Sequence, residues 1–142
     1  MCPDEAWEEA RCAGVYHGSD DDRRDGFLHF STGEQVAESA RRHRAGQTGL
    51  VLVAVESARL GDRLKWEPSR GGQLFPHLYG PLDPSEVSSV RLLPVGPDGL
   101  HVFPPLARSA IPPPRVSSAV RGSGDVTRPI DRRRKSGRFR AR

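Results

Sequence analysis

The chain has 142 residues and a mass of 15.6 kDa, the size of one domain with one hydrophobic core, which argues against a two-lobed enzyme. Hydrophobic residues make up 35% and charged residues 28%, a balance too polar for a chain that folds along its whole length. The formal net charge of +4 is unevenly divided, because residues 107–142 hold eleven basic and two acidic residues whereas residues 1–106 are net acidic.

Two helices are predicted from local patterns. Residues 3–13 combine a proline at the first helical position, acidic residues in the first turn and an apolar face. Ser31 and Glu34 match the S-x-x-E capping box, which predicts a second helix that runs to about Ala45. The residues expected to face the core are Ala6, Trp7 and Ala10 in the first helix and Val36, Ala37 and Ala40 in the second.

Strands are predicted between and after the helices. The aliphatic run 50–55 reads as a buried strand and is expected to pair with a strand at 63–67. Strands at about 88–95 and 100–103 flank a Gly-Pro-Asp-Gly turn and are expected to form a closing hairpin. So few helices favour a compact α+β domain over residues 1–106 and argue against a doubly wound sheet.

Residues 107–142 form the second predicted unit, a disordered basic tail rich in Arg and Pro. They show neither the period of a strand nor that of a helix. Such a density of cations suits contacts with nucleic-acid phosphates. A nucleic acid is therefore one expected partner of the tail.

Several classes of protein are disfavoured by what the sequence lacks. Its longest apolar run is far shorter than the roughly 18 to 20 residues of a membrane helix, and no signal-peptide pattern opens it, so we expect a cytoplasmic protein. Cys2 and Cys12 lack the spacing of a metal site or a disulfide framework, so no metal is expected. Walker, G-x-G-x-x-G, G-x-S-x-G and H-E-x-x-H motifs are absent.

The first candidate site is the segment DGFLHFST at residues 25–32. An apolar strand there delivers His29, Ser31 and Thr32 to a helix start, where unpaired backbone N–H groups favour an anion such as a phosphate. Arg24 precedes this strand and could reach the same phosphate. The alternative is structural, with Ser31 as a helix cap and His29 as a satisfied core histidine. The acidic run that overlaps its start, residues 19–26, is interpreted as a solvated loop in preference to a metal site.

The second candidate site is residues 64–82, a strand followed by a loop dense in Gly and Pro. Glu67 follows a tryptophan at the strand end, where a carboxylate could orient a ribose or stabilise a cationic transition state. Its alternative is an ion pair with Arg70 or Lys65. The other candidates in this segment are His77 for proton transfer and Trp66 and Tyr79 for stacking on a ring, although the two aromatic residues could equally fill the core.

The segments DGFLHFSTGEQV, LKWEPSRGGQLFPHLYGPL and DGLHVFP resemble the bacterial family named domain of unknown function 952. That family is grouped by fold with the ADP-ribosyltransferases and the NAD-dependent RNA 2′-phosphotransferases. The resemblance implies a split, curved antiparallel sheet around a dinucleotide cleft, a ligand-facing role for His29 and Ser31, and a ribose-orienting role for Glu67. The strand that precedes the first helix in the larger group is predicted to be missing here.

Together these observations predict a transferase that binds NAD or an ADP-ribose-like molecule and transfers an ADP-ribosyl or phosphate group. The alternatives are a non-catalytic module that binds a nucleotide or nucleic acid, and an accessory protein with an empty cleft. The predicted catalytic residues are Glu67 and His77, and the predicted NAD-binding residues are Arg24, His29, Ser31, Thr32, Trp66, Arg70 and Tyr79.

Overall fold

Two three-stranded antiparallel sheets form the framework of the computed structural model, which describes residues 1–106. The predicted basic tail, residues 107–142, lies outside the described residues. In chain order the elements are β1 (Cys2–Pro3), α1 (Asp4–Ala13), α2 (Asp20–Asp25), β2 (Leu28–His29), α3 (Val36–His43), β3 (Leu50–Val55), α4 (Ser57–Leu60), β4 (Leu64–Pro68), β5 (Leu74–Leu78) and β6 (Val87–Leu93). Short 3-10 turns occupy Gly61–Arg63, Arg70–Gly72 and Pro84–Glu86.

The strand order is β1-β3-β6 in the first sheet and β2-β5-β4 in the second. In the first sheet, Leu50 of β3 is paired with Leu93 of β6. In the second, Leu78 of β5 is paired with Leu28 on one side and Leu64 on the other. The prediction of a small α+β domain with a split, mainly antiparallel sheet is therefore confirmed.

The main hydrophobic core joins α1 to both sheets. Trp7 and Ala10 of α1 are buried in one cluster with Val51 of β3 and with Leu28 and Leu78 of the second sheet. A smaller cluster, Val36, Leu50, Leu52 and Leu93, packs α3 against the first sheet. This packing leaves the other face of the second sheet available for polar side chains.

The two predicted helices are present, with changes at α3. Helix α1 ends at Gly14, whose left-handed φ of 77° suits glycine. At α3 the capping box is formed one residue later than predicted, by Thr32 and Gln35, whose side chains each bind the other's backbone N–H. The helix is also shorter, and it buries Ser39 where Ala37 was expected.

Helix α2 was not predicted, because its residues were interpreted as a solvated loop. It buries no residue, so the sequence has no apolar period there. The helix is stabilised at its N-terminus by a capping box between Ser19 and Asp22, in which aspartate takes the place of the usual glutamate.

The predicted pairing of β3 with β4 was wrong. Strand β3 pairs with β1 and β6, whereas β4 pairs with β5, a strand that the sequence placed in a loop. Pro76 lies in the middle of β5, and because a proline argues against a central strand, β5 was not predicted. Pro76 lacks an N–H, but its carbonyl accepts the Phe30 N–H at 2.9 Å. The closing hairpin is reduced to one bridge between Val95 and His101.

A short strand does precede the first helix, although none was predicted. Cys2 and Pro3 pair with Val51 and Leu50 at the edge of the first sheet. Two residues are too few to show an alternating pattern, so this strand could not be predicted from the sequence. Within residues 1–106, the structure has no helix with the length and apolar character needed to cross a membrane.

Gly18 is expected to be the glycine most sensitive to substitution, because it combines a left-handed φ of 85° with close packing. A Cβ there would clash with the side chains of Leu28 and Asp22, so Gly18→Ala should lower the free energy of unfolding by roughly 2 to 4 kcal/mol. Gly14→Ala is the matched control, since its φ is 77° and nothing lies within 4 Å of the added Cβ. Urea denaturation should show a loss of only about 1 kcal/mol for that control; equal losses would contradict the packing argument.

Candidate functional site

Three strands bring the candidate residues together on one face of the second sheet. Side chains alternate between faces along a strand, and directly paired residues share a face. His29 of β2 is paired with His77 of β5, which is paired on its other side with Lys65 of β4. Glu67 and Tyr79 lie two positions from these residues and share their face. We call this surface the histidine face; the opposite face enters the core.

His77 is held in place by a carboxylate and is only 6% exposed. Its Nδ1 lies 2.7 Å from Glu67 Oε2, and the Tyr79 hydroxyl donates to the same oxygen at 2.9 Å. Hydrogen bonds from His77 and then from Tyr79 lower the pKa of Glu67, while the bond to Glu67 raises the pKa of Tyr79. With Glu67 ionised, the ring proton belongs on Nδ1, and Nε2 is left as the acceptor.

Phe27 covers the His77 ring. The two rings are stacked, with centroids 4.2 Å apart and planes at 18°. Phe27 also contacts the rings of His29 and Tyr79 at tilted angles. The His29 and His77 rings are themselves in edge contact, with centroids 5.5 Å apart. Two imidazoles are thus fixed side by side by packing as well as by hydrogen bonds.

His29 is bound by two aspartates of α2. Its Nδ1 lies 2.7 Å from Asp22 Oδ1, and its Nε2 lies 3.1 Å from Asp25 Oδ2. The backbone N–H of His29 also donates to Asp22. Burial favours the neutral form of Asp22, but the hydrogen bonds from His29 and Ser19 outweigh it and lower the pKa of Asp22. Both ring nitrogens of His29 are therefore already engaged.

A cleft of about 420 Å³ opens beside the two histidines and is lined by residues of both sheets, α2 and α3. Some of the predicted site residues line it, namely Arg24, His29, Ser31, Arg70 and His77. Thr32, Trp66, Glu67 and Tyr79 do not. Glu67 and Tyr79 reach the cleft only through their hydrogen bonds to each other and to His77.

The predicted anion-binding residues at the start of the second helix have partners within the protein. The Ser31 hydroxyl bonds the Ser39 hydroxyl at 3.2 Å, and Thr32 serves in the helix cap. Arg24 forms ion pairs with Asp21 and Asp25. The Ser31 hydroxyl is therefore bound within the protein, but not in the helix cap that the sequence suggested for it.

The aromatic and basic residues of the second candidate segment do not all lie on the histidine face. Trp66 is half-buried and lies on the face of β4 opposite to Glu67. Arg70 lines the cleft, where its guanidinium lies 5.7 Å from the centre of the Phe75 ring and its Nη2 lies 2.6 Å from His43 Nε2. The suggested ion pair of Glu67 with Arg70 or Lys65 is not formed.

Sequence reasoning missed Asp22, Asp25 and Phe27. The S-x-x-D pattern at 19–22 and the spacing of four residues from Asp25 to His29 were the available signals, but neither is specific. Among residues 1–106, no group of three or more His, Cys, Asp or Glu side chains is arranged to hold a metal ion.

Asp22→Asn is expected to lower the free energy of unfolding by roughly 1.5 to 3 kcal/mol at neutral pH, because Asn cannot accept all of the hydrogen bonds that the carboxylate receives. The folded pKa of Asp22 lies below its ordinary value of 3.8, so its contribution is present above that pH and is lost as the pH falls through the folded pKa. Urea denaturation at several pH values should show a shallower acid dependence in the variant. Asp20→Asn, on the exposed side of α2, is the control, and equal effects of both changes would contradict this assignment.

Two antiparallel sheets and a cleft beside paired histidines define a small α+β domain with a polar site. The chain belongs to the family described as protein of unknown function (DUF952), whose model matches residues 1–90. The family resemblance seen in the motifs is thereby confirmed.

Solved structures of protein CC0527 from Caulobacter crescentus are similar to this chain. A crystal structure of that protein is 47% identical, covers 70% of this chain and 88% of its own, and superposes with a TM-score of 0.68. A solution NMR structure of the same protein is 47% identical, with a TM-score of 0.64 and coverage of 70% of this chain and 85% of its own. No curated protein matches the sequence.

Proposed function

We propose that the chain is a transferase that binds NAD or an ADP-ribose-like nucleotide in the cleft and transfers an ADP-ribosyl or phosphate group. The observation that supports this most is His77, which lines the cleft while Glu67 fixes its Nδ1. An imidazole whose rear nitrogen is bound to a carboxylate is a suitable general acid and base at neutral pH.

The cleft fits a nucleotide in size and in the chemistry of its lining. Its volume lies within the roughly 300 to 1,000 Å³ typical of small-molecule sites. Phe30 and Phe75 offer aromatic surface for a base, and guanidinium groups offer donors for phosphates. When bound, NAD supplies the ADP-ribosyl group and nicotinamide as the leaving group.

His77 Nε2 takes the proton of the attacking acceptor group in this proposal. Glu67 stabilises the imidazolium that results, because its carboxylate is ionised and accepts the Nδ1–H bond. Tyr79 holds the second side of that carboxylate. Glu67 thus acts through His77 as a positioning residue, and Phe27 prevents the ring from turning away from the cleft.

Titration of the full chain with ADP-ribose, followed by NMR of the imidazole signals, tests the proposal. We expect the signals of His29 and His77 to shift together, because both rings border the cleft. His17 and His101 do not line the cleft and are internal controls. If neither His29 nor His77 shifts at millimolar ligand and calorimetry with NAD shows no heat, the proposal is wrong.

Nucleic acid is the second partner that we propose, on the charge of residues 107–142. Their eleven basic residues against two acidic ones would release many counterions on binding to phosphates, so affinity for RNA should fall steeply with salt. Replacing Arg132, Arg133, Arg134 and Lys135 with Gln in the full chain should reduce that slope. An unchanged slope would contradict a role for the tail.

We propose a cytoplasmic location for the group transfer and for the binding of nucleic acid.

A further inference from the structure

We propose that a basic corner of the cleft, formed by Arg44, Arg70 and His43, binds the diphosphate of the nucleotide. This inference rests on the proposed function and deepens it, because it names the residues that bind the diphosphate of that ligand. All three residues line the same cleft as His77. None of them belongs to the anion site that the sequence predicts around His29.

The acidic residues of the cleft are already in contact with its other basic side chains, Arg24 and His29. Asp22 and Asp25 bind the two nitrogens of His29, and Asp21 and Asp25 bind Arg24. Neither Arg24 nor His29 can receive a diphosphate without giving up a carboxylate contact. The α2 side of the cleft, with Asp21, Asp22 and Asp25 against Arg24, has an excess of acidic groups and is unsuited to an anion.

Arg44 retains its charge without a carboxylate partner. It follows the last residue of α3, is half-buried and makes one side-chain hydrogen bond, from Nη1 to Gln47 Oε1 at 3.3 Å. Within residues 1–106, no carboxylate lies within 4.0 Å of its guanidinium. Burial raises the pKa of the Cys2 thiol and of the Tyr16 hydroxyl, and the Arg44 charge opposes both shifts; all three residues line the cleft.

Arg70 is also without a carboxylate in the described part of the chain. Its Nη2 donates to His43 Nε2 at 2.6 Å, which requires the neutral His43 tautomer with the proton on Nδ1. The ring of Phe75 lies beneath its guanidinium. These two contacts fix the orientation of Arg70 while leaving its remaining N–H groups able to bind an anion. His43 is accordingly a positioning residue.

Two guanidinium groups without acidic partners suit a diphosphate better than a neutral ligand. Each planar fork can donate two parallel bonds to phosphate oxygens, and the charge-assisted bonds are among the strongest that side chains form. The neighbouring cations Arg41 and Arg42 differ, because both are bound to Glu38 on the outer side of α3. Of the three arginines that line the cleft, Arg24 is paired with aspartates, whereas Arg44 and Arg70 have no carboxylate partner within residues 1–106.

Calorimetry of the full chain with inorganic pyrophosphate tests whether the basic corner binds a diphosphate without the rest of the nucleotide. We expect Arg44→Gln and Arg70→Gln each to weaken pyrophosphate binding by roughly 10- to 100-fold, the loss of charge-assisted bonds. Arg41→Gln makes the same change in charge one turn away and should leave the affinity unchanged. His43→Ala should weaken binding less than Arg70→Gln, and His43→Gln, which keeps an acceptor, should restore it.

The outcomes separate this inference from the proposed function. If ADP-ribose binds normally to both arginine variants, the basic corner is wrong and the transferase proposal stands. If pyrophosphate binds and requires both arginines but ADP-ribose does not bind, the corner is supported and the transferase proposal fails. If pyrophosphate does not bind the wild-type chain, the corner is overturned.

Discussion

Replacing Glu67 with Gln is expected to reduce the rate of group transfer from NAD by roughly 10³- to 10⁴-fold, while the affinity for ADP-ribose stays within about twofold. Glu67 keeps the His77 proton on Nδ1 because its carboxylate only accepts hydrogen bonds. The amide of Gln can instead donate to Nδ1, which moves the ring proton to Nε2, the atom that acts as the base in the proposed reaction. The change is nearly isosteric, so the loss would reflect the tautomer of His77 and not the shape of the site.

Glu9→Gln is the control for this experiment, because Glu9 is exposed on α1 and does not line the cleft. Single-turnover rates and ligand affinities should be measured for both variants and the wild type, together with thermal unfolding to confirm the fold. A Glu67→Gln variant that binds ADP-ribose and transfers at the wild-type rate would remove His77 from the proposed chemistry.

The parts of the fold predicted from the sequence are those that local pattern determines. Helix α1 shows its apolar face and its terminating glycine within one segment, and β3 is an uninterrupted aliphatic run. Helix α2 buries nothing, and β5 contains Pro76, so neither shows the period of its element. Strand pairing is non-local, which is why β4 was assigned to the wrong partner.

For the site, too, the sequence predicts which residues take part but not how they contact one another. His29, Glu67, His77 and Tyr79 were chosen because their side chains can perform chemistry, and the sheet does place them on one face. The contact of Glu67 with His77 depends on the register of β4 against β5, which no local pattern encodes. The contacts of His29 with Asp22 and Asp25 likewise depend on how α2 packs against β2, which no local pattern encodes.

Leu78→Ala is expected to lower the free energy of unfolding by about 2 to 5 kcal/mol, a large part of the roughly 5 to 15 kcal/mol typical of a domain. Leu78 is fully buried at 0% exposure and lies between Leu28 and Leu64 on the core face of the central strand. Truncation would leave a cavity against the main core cluster, which α1 and the first sheet cannot close without moving.

The same substitution should also loosen the site, because His77 and Tyr79 flank Leu78 on the opposite face of the sheet. Urea denaturation measures the stability, and the Tyr79–Glu67 contact can be followed by the exchange of the Tyr79 hydroxyl proton. Leu92→Ala is the matched control, since Leu92 lies on β6 with 71% exposure and should change stability by less than about 0.5 kcal/mol. Comparable losses in the two variants would mean that the histidine face is not anchored through the core at Leu78.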